Sequence, residues 1–283
     1  MYGAASMRGT EWTDNVCVTS LACLNDFEFF LVTDQEGLKE PVDGIMGLAR
    51  NKPFYLSSEK GLSRGPSYMM GLVNAGLIST NAFSFYMAPY GNRSWIDFGE
   101  PKIESMRDSE DVAFIELNED FFWSANCGGF ALNGIENGYR WGSRKNAGKT
   151  VSSGAVYSIF DTGASAIIFP KEYFKNFLKK LYSEIDGDEY EVASGYVVTK
   201  CYEDFPTIQF LLGSKWVTID ADEYVVDISD NQDRSICVLL LSQGDADFFV
   251  MGLPLFMDYY TVHDDTNGQI GFVPHSTSTK SPI

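Results

Sequence analysis

Short runs of apolar, aromatic and β-branched residues, each closed by a turn-forming residue, constrain this chain more than any other feature. Runs of four to six such residues recur along the chain and end near Gly, Pro, Asn or Asp. Segments of this length are typical of β-strands, because a helix needs about ten or more residues. The sequence therefore predicts an all-β protein, with the clearest strands over residues 83–87, 94–98, 112–117, 157–160 and 248–251.

Helical periodicity is limited to two short segments. In residues 171–182, apolar side chains recur at i, i+3, i+4 and i+7 after Pro170. A second helix is predicted over residues 67–75 and ends before Gly76, a residue suited to the position after a helix. The chain is therefore expected to contain a few short helices among many strands.

The chain of 283 residues has room for about two domains. A polar stretch over residues 100–111, with six charged residues between positions 102 and 111, separates two strand-rich halves and is the predicted linker. The sequence IMGL at 45–48 is echoed by VMGL at 250–253. This echo is consistent with two related lobes.

Charge excludes some functions. The chain carries 39 acidic and 21 basic residues, for a formal charge of −18. Such a surface repels nucleic-acid backbones and anionic membranes, so neither partner is expected. No apolar run approaches the roughly 20 residues of a membrane span, and residues 1–6 lack the pattern of a signal peptide.

The five cysteines leave their pairing open. Cys17 and Cys23 could close a short loop and Cys201 and Cys237 a longer one, which leaves Cys127 unpaired. Five buried thiols are the alternative. No Cys-x-x-Cys pair is present and the chain has two histidines, so a metal site is not expected.

The sharpest local signal is Asp161-Thr162-Gly163, which lies between the apolar segments 157–160 and 166–170. A carboxylate between two apolar strands is costly unless it is hydrogen-bonded or paired, and hydroxyl donors are nearby at Thr162 and Ser165. An Asp-Thr-Gly in an ordinary surface turn would not have such flanks. The motif is therefore a candidate for chemistry.

This motif and its flanks resemble the second active-site motif of the pepsin-like aspartic proteases. Further segments resemble that family in the same order along nearly the whole chain, which is far more specific than any single motif. These segments are VDGIMGLA at 42–49, GLIS at 76–79, FSFY at 83–86, FGE at 98–100, FPTIQF at 205–210 between Cys201 and Cys237, FVMGLPLFMDYYTVHD at 249–264 and IGFVP at 270–274.

The resemblance implies an all-β, bilobal pepsin-like fold with an incomplete N-terminal lobe and a cleft between the lobes. It divides the chain into a partial N-terminal lobe with the flap over residues 1–106, a C-terminal lobe carrying Asp-Thr-Gly over residues 107–275, and a polar tail over residues 276–283. It also implies that Cys201 and Cys237 close a disulfide loop.

By position, Asp161 matches the catalytic aspartate of the second lobe, in a loop with Thr162, Gly163 and Ser165. Two close carboxylates in this family share a proton, and one activates water while the other donates to the scissile carbonyl. The resemblance therefore implies an aspartic endopeptidase that acts on polypeptides without a metal or organic cofactor. Ala164 stands where many relatives have Thr.

The front of the chain departs from the family pattern. Tyr2 and Gly3 resemble the start of the flap that closes over the cleft, and Ala5 stands where relatives usually have a glycine. In the family, the first Asp-Thr-Gly precedes the flap. In this chain, Asp43-Gly44 matches a structural turn rather than that motif, so the chain offers one catalytic aspartate. We therefore expect an N-terminally truncated sequence. One alternative is a catalytically inactive protein that binds peptides or proteins. Another is a pair of chains in which each chain contributes its Asp161 to a shared site.

Three further expectations concern the environment of the protein. The resemblance implies a secreted or lysosomal/vacuolar protein that is monomeric when complete. The sequence Asn92-Arg93-Ser94 matches the N-glycosylation sequon. His263 lies in a predicted strand where most relatives have an apolar or aromatic residue, and it is expected at the surface or an interface rather than in catalysis.

Overall fold

Strands dominate the structure of the protein. The structure is a computed structural model that describes residues 6–20, 22–37, 43–50, 66–89, 92–107, 111–118, 122–141, 143–146, 149–152, 154–187, 189–229 and 235–280. Tyr2 and Gly3 of the predicted flap lie outside these ranges. The many strands and few short helices confirm the all-β expectation.

Strands and short helices alternate along the described part of the chain. The strands are β1 (Ser6–Thr19), β2 (Ala22–Glu36), β3 (Ala82–Tyr86), β4 (Trp95–Phe98), β5 (Ala113–Glu116), β6 (Ser124–Leu132), β7 (Tyr139–Arg140), β8 (Ser143–Asn146), β9 (Lys149–Ser152), β10 (Val156–Phe160), β11 (Ile167–Pro170), β12 (Tyr190–Ala193), β13 (Tyr196–Thr199), β14 (Ile208–Leu212), β15 (Lys215–Ile219), β16 (Val225–Asp227), β17 (Cys237–Gly244), β18 (Phe249–Met251), β19 (Tyr259–Asp264) and β20 (Gln269–Pro274). The α-helices are α1 (Tyr68–Asn74), α2 (Lys171–Glu184), α3 (Ala221–Tyr224) and α4 (Leu253–Phe256), and short 3₁₀ turns span Ile103–Ser105 and Ile135–Asn137.

The largest sheet has eleven strands and belongs to the second half of the chain. Nine of them run in the order β12-β13-β17-β11-β18-β10-β6-β14-β15, while β16 pairs with β17 and β7 with β6. Strand β18 therefore lies between β10 and β11, parallel to β10 and antiparallel to β11. This order fixes where the chain between β10 and β11 must turn.

Both predicted helices are confirmed. All four periodic positions of α2 are buried, and Phe177 packs with its ring centroid 4.6 Å from that of Phe169 and 4.8 Å from that of Phe130. Helix α1 begins after Ser67, whose hydroxyl accepts a hydrogen bond from Met70 N, and Gly76 follows it with a φ of +67°. Within the described ranges, no helix is both long and apolar enough to cross a membrane.

A five-stranded antiparallel sheet joins the two halves of the chain. Its order is β4-β3-β19-β20-β5, so two strands come from residues before the predicted boundary at 106/107 and three from residues after it. The predicted linker is bound to this sheet, since Arg107 N donates to Pro274 O at 3.0 Å. The exact lobe boundaries stay a prediction.

The polar tail packs against the protein as far as residue 280. The side chain of Lys280 is 1% exposed, and its Nζ lies 2.6 Å from Glu223 Oε2 and 3.0 Å from Thr218 O. Arg107 Nη1 donates to the carbonyl oxygen of Lys280 at 2.6 Å. Burial raises the pKa of the Glu223 carboxyl, and the ammonium of Lys280 opposes that rise. The tail is thus held by buried hydrogen bonds that Lys280 makes with Glu223, Thr218 and Arg107.

His263 on β19 is buried within aromatic side chains rather than exposed. Its ring stacks on Phe83 at 4.5 Å and meets Trp123 edge-on at 4.9 Å. Its Nδ1 has no hydrogen-bond partner among the described residues. Burial lowers the pKa of His263 from 6.5 to about 3, so the imidazole stays neutral in the folded protein.

We predict that Lys280→Met lowers the free energy of unfolding by about 3–5 kcal/mol above pH 8, because the pKa of Glu223 is raised to about 8 in the folded chain and its ionised carboxylate would then be buried without a charge partner. The loss should shrink below that pH, where Glu223 is protonated. Urea denaturation across pH measures both effects. The control is Lys200→Met, which breaks an ion pair between Lys200 and Glu189, side chains that are 59% and 62% exposed. This substitution should lower the free energy of unfolding by about 0–1 kcal/mol.

We predict that His263→Phe stabilises the protein in acid. The pKa of His263 is about 3 in the folded chain against an ordinary value of 6.5, so the unfolded chain takes up the proton first as the pH falls. Stability is then lost between these two values, to about 4 kcal/mol near pH 3. Denaturation of both proteins at several pH values tests this. A stability gap that does not widen between pH 7 and pH 3 would contradict the prediction.

Candidate active site

Strand β10 carries Asp161 to the edge of the eleven-stranded sheet. The strand is paired on both sides, with β6 antiparallel and with β18 parallel. Ser158, in the middle of the strand, is buried and donates from Oγ to Ala125 O at 2.5 Å. At the end of the strand, Phe160 N donates to Trp123 O at 2.7 Å and Asp161 N to Met251 O at 3.0 Å. These bonds fix the backbone of Asp161.

A tight turn follows and presents the carboxylate to solvent. Ala164 N donates to Asp161 O at 3.1 Å, which closes a four-residue turn. Gly163 N donates to Asp161 Oδ1 at 2.8 Å, so one carboxylate oxygen is held by the turn itself. The residue Asp161 is exposed, which leaves the carboxylate accessible to solvent.

The turn rests on the backbone that follows β18. Leu253 N donates to Ala164 O at 2.8 Å. A Cβ atom added at Gly252 would lie 2.2 Å from Ala166 O and 2.5 Å from Ala164 O, so only glycine allows this approach. The echoed segment 250–253 therefore supports the Asp161 turn. The sequence revealed the echo but not this role.

Residues 43–50, which contain the first copy of the echo, are anchored to the second half of the chain. Trp123 Nε1 donates to Leu48 O at 2.8 Å. Arg50 Nε lies 2.5 Å from Asp265 Oδ1, and Asn81 Nδ2 donates to the other oxygen of that carboxylate at 2.7 Å. Trp123 thus contacts both Phe160 and Leu48 through hydrogen bonds. Nothing in the sequence pattern marked it as a positioning residue.

The structure places four predicted site residues in one turn. Asp161, Gly163 and Ser165 are exposed there, while Thr162 is half-buried. Tyr2 and Gly3 lie outside the described residues, so their part in the site stays a prediction. The roles of the four turn residues also stay predictions, because their arrangement fixes geometry and not activity.

The cysteines form two disulfides. Cys17 pairs with Cys23 across the β1–β2 hairpin, and Cys201 pairs with Cys237, as the resemblance implied. Cys127 is buried and accepts a hydrogen bond from Trp141 Nε1, and burial raises the pKa of its thiol to about 12, which makes it unreactive. Among the described residues, one group of possible metal ligands comprises Cys201, Asp227 and Cys237, but the two cysteines are joined to each other and offer no thiolates.

Comparison with known proteins shows the family of this chain. The profile of the eukaryotic aspartyl protease family matches residues 1–275. The chain is 24% identical to gastricsin of Cavia porcellus over 285 residues, which cover 96% of this chain and 64% of the relative. It is 25% identical to cathepsin D of Dictyostelium discoideum over 281 residues, which cover 96% of this chain and 66% of the relative.

The chain belongs to the pepsin-like family of eukaryotic aspartyl proteases, since the family profile covers almost all of it. It spans about two thirds of the length of the curated relatives it matches. The Asp-Thr-Gly turn at the end of β10 lies within the matched region.

We predict that Gly252→Ala disrupts the Asp161 turn, because the added Cβ would collide with two backbone oxygens that cannot move independently. The cost should be about 1–3 kcal/mol or more of unfolding free energy, measured by chemical denaturation. Gly44→Ala is the matched control, since no atom of the described residues lies within 4 Å of a Cβ added there. Equal effects of the two substitutions would show that the turn does not depend on the close approach at Gly252.

Proposed function

We propose that this chain is part of a pepsin-type aspartic endopeptidase and that Asp161 is one of its two catalytic carboxylates. The proposal depends on one observation, the exposed carboxylate of Asp161 on a turn that is held by Met251 and by the backbone of residues 252–253. A fixed backbone and an accessible carboxylate are what general acid–base catalysis on a peptide bond requires.

In the proposed reaction, two adjacent carboxylates share one proton because both cannot ionise easily at short distance. One carboxylate removes a proton from a water molecule, which attacks the scissile carbonyl carbon. The other donates a proton to the carbonyl oxygen, which gives a tetrahedral diol. The first carboxyl group then gives the proton that it took from water to the amide nitrogen, the second takes a proton back from a diol hydroxyl, and the C–N bond breaks to release the amine and the new carboxyl group. The substrate is an extended polypeptide bound between the lobes.

This chemistry needs a second aspartate, and the 283 residues contain a single Asp-Thr/Ser-Gly sequence. We propose that the second aspartate is supplied from outside these residues, on a turn supported by residues 45–48. The echo of segment 250–253, which supports the Asp161 turn, favours this position. The single motif also supports a second candidate function, a catalytically inactive pepsin-fold protein that binds peptides or proteins.

The two disulfides bear on where the protein works. Disulfides persist in oxidising compartments and are rare in the cytosol. We therefore propose a secreted or lysosomal/vacuolar location, and a monomer once both aspartates are present. The excess of acidic residues fits an acidic compartment, because carboxylates begin to protonate near pH 4.

The test is cleavage of a denatured protein at acidic pH by the product of the complete reading frame. Asp161→Asn should lower kcat by about 10²–10⁴-fold, because it removes one partner of the acid–base pair. Asp43→Asn is the control: Asp43, like Asp161, is an exposed aspartate, and its substitution should leave kcat unchanged.

Other outcomes separate the remaining hypotheses. If the 283 residues alone cleave as fast as the complete protein, the proposal of an external second aspartate is wrong. If neither protein cleaves, but both bind a peptide with a statine-type mimic of the tetrahedral intermediate, the peptide-binding function is supported instead.

A further inference from the structure

The sequon Asn92-Arg93-Ser94 is a feature that proteolysis does not explain. It is the only Asn-x-Ser/Thr sequence among the 14 asparagines of the chain. An N-glycan requires this tripeptide with a middle residue other than proline, together with a surface position. The sequence meets the first condition, and the second depends on where the fold places the tripeptide.

The sequon lies on an exposed turn between β3 and β4. Asn92 N donates to Pro89 O at 3.1 Å, and Ala88 N donates to Ser94 Oγ at 3.1 Å. Asn92, Arg93 and Ser94 are all exposed. The side-chain amide of Asn92 makes no hydrogen bond to the described residues, so attachment of a sugar there would break no contact among them.

The position in the sheet also leaves room for a bulky group. Strand β4, which follows the sequon, lies at one end of the five-stranded sheet and pairs with β3 alone among the described strands. Its first residue, Trp95, packs on Tyr86 with ring centroids 4.6 Å apart and remains 37% exposed. Proteins commonly protect such sheet edges from pairing with other chains. A glycan on the turn before β4 would lie at this unprotected edge.

We propose that Asn92 carries an N-linked glycan. The donor class is an oligosaccharide linked to a lipid through a diphosphate. Asn92 Nδ2 forms a bond to C1 of the first sugar, the bond between C1 and the diphosphate oxygen breaks, and the lipid diphosphate leaves while one amide proton is lost to a base. The two disulfides fit the secreted or lysosomal/vacuolar location proposed above, on which this inference rests, because proteins in such oxidising compartments acquire N-linked glycans.

The test is expression of the 283-residue chain in eukaryotic cells behind a secretory leader, with a C-terminal tag that carries a sequon of its own. The mass of the chain is measured in whole lysate before and after digestion with a peptide N-glycosidase, so that the result does not depend on folding or activity. The tag reports entry into the secretory pathway. We expect two glycans on the wild-type chain and one on Asn92→Gln.

Two matched variants sharpen the result. Ser94→Thr keeps the sequon and should keep both glycans. Asn74→Gln removes an exposed asparagine outside any sequon and should also keep both. If the wild-type chain carries the tag's glycan alone, or if Asn92→Gln still carries two, the proposal is overturned. Loss of peptide cleavage in Asp161→Asn has no bearing on this outcome, so the two proposals fail separately.

Discussion

The contact between the Asp161 turn and the backbone after β18 is the constraint on which the candidate site depends. Because β18 lies between β10 and β11, the chain that leaves β10 must cross the end of β18 to enter β11. Asp161 N bonds to Met251 O on one side of this crossing, and Leu253 N bonds to Ala164 O on the other. Gly252 permits the approach, and the carboxylate is presented at the sheet edge as a result.

Two buried ionisable groups respond to acid in opposite directions. Burial raises the pKa of Glu223, so the folded state favours its protonated form and the contribution of this group to stability declines as the pH rises. Burial lowers the pKa of His263, so its contribution is lost as the pH falls. Glu223 holds the C-terminal tail, whereas His263 lies in the sheet that joins the two halves. The pH dependence of stability therefore reflects a balance between the tail and this sheet.

The parts that the sequence predicted well are local in the chain. Helix α2 followed from the spacing of four apolar residues, and the Asp-Thr-Gly turn followed from a motif between two apolar segments. The burial of Lys280 was not predicted, because its partners Thr218 and Glu223 are about sixty residues away and a polar tail gives no periodic signal. Trp123 was missed for the same reason, since its contacts with Leu48 and Phe160 come from distant segments.

The sequence by itself determined the strand-rich character, the family resemblance and the position of Asp161 between two strands, because short apolar runs, turn residues and motifs are properties of neighbouring positions. Only the tertiary structure decided that β18 separates β10 from β11 and that Gly252 supports the Asp161 turn. It also decided that Lys280 and His263 are buried. Strand order and burial depend on pairing between distant segments, whose free energy comes from hydrogen bonds and packing that no local pattern specifies.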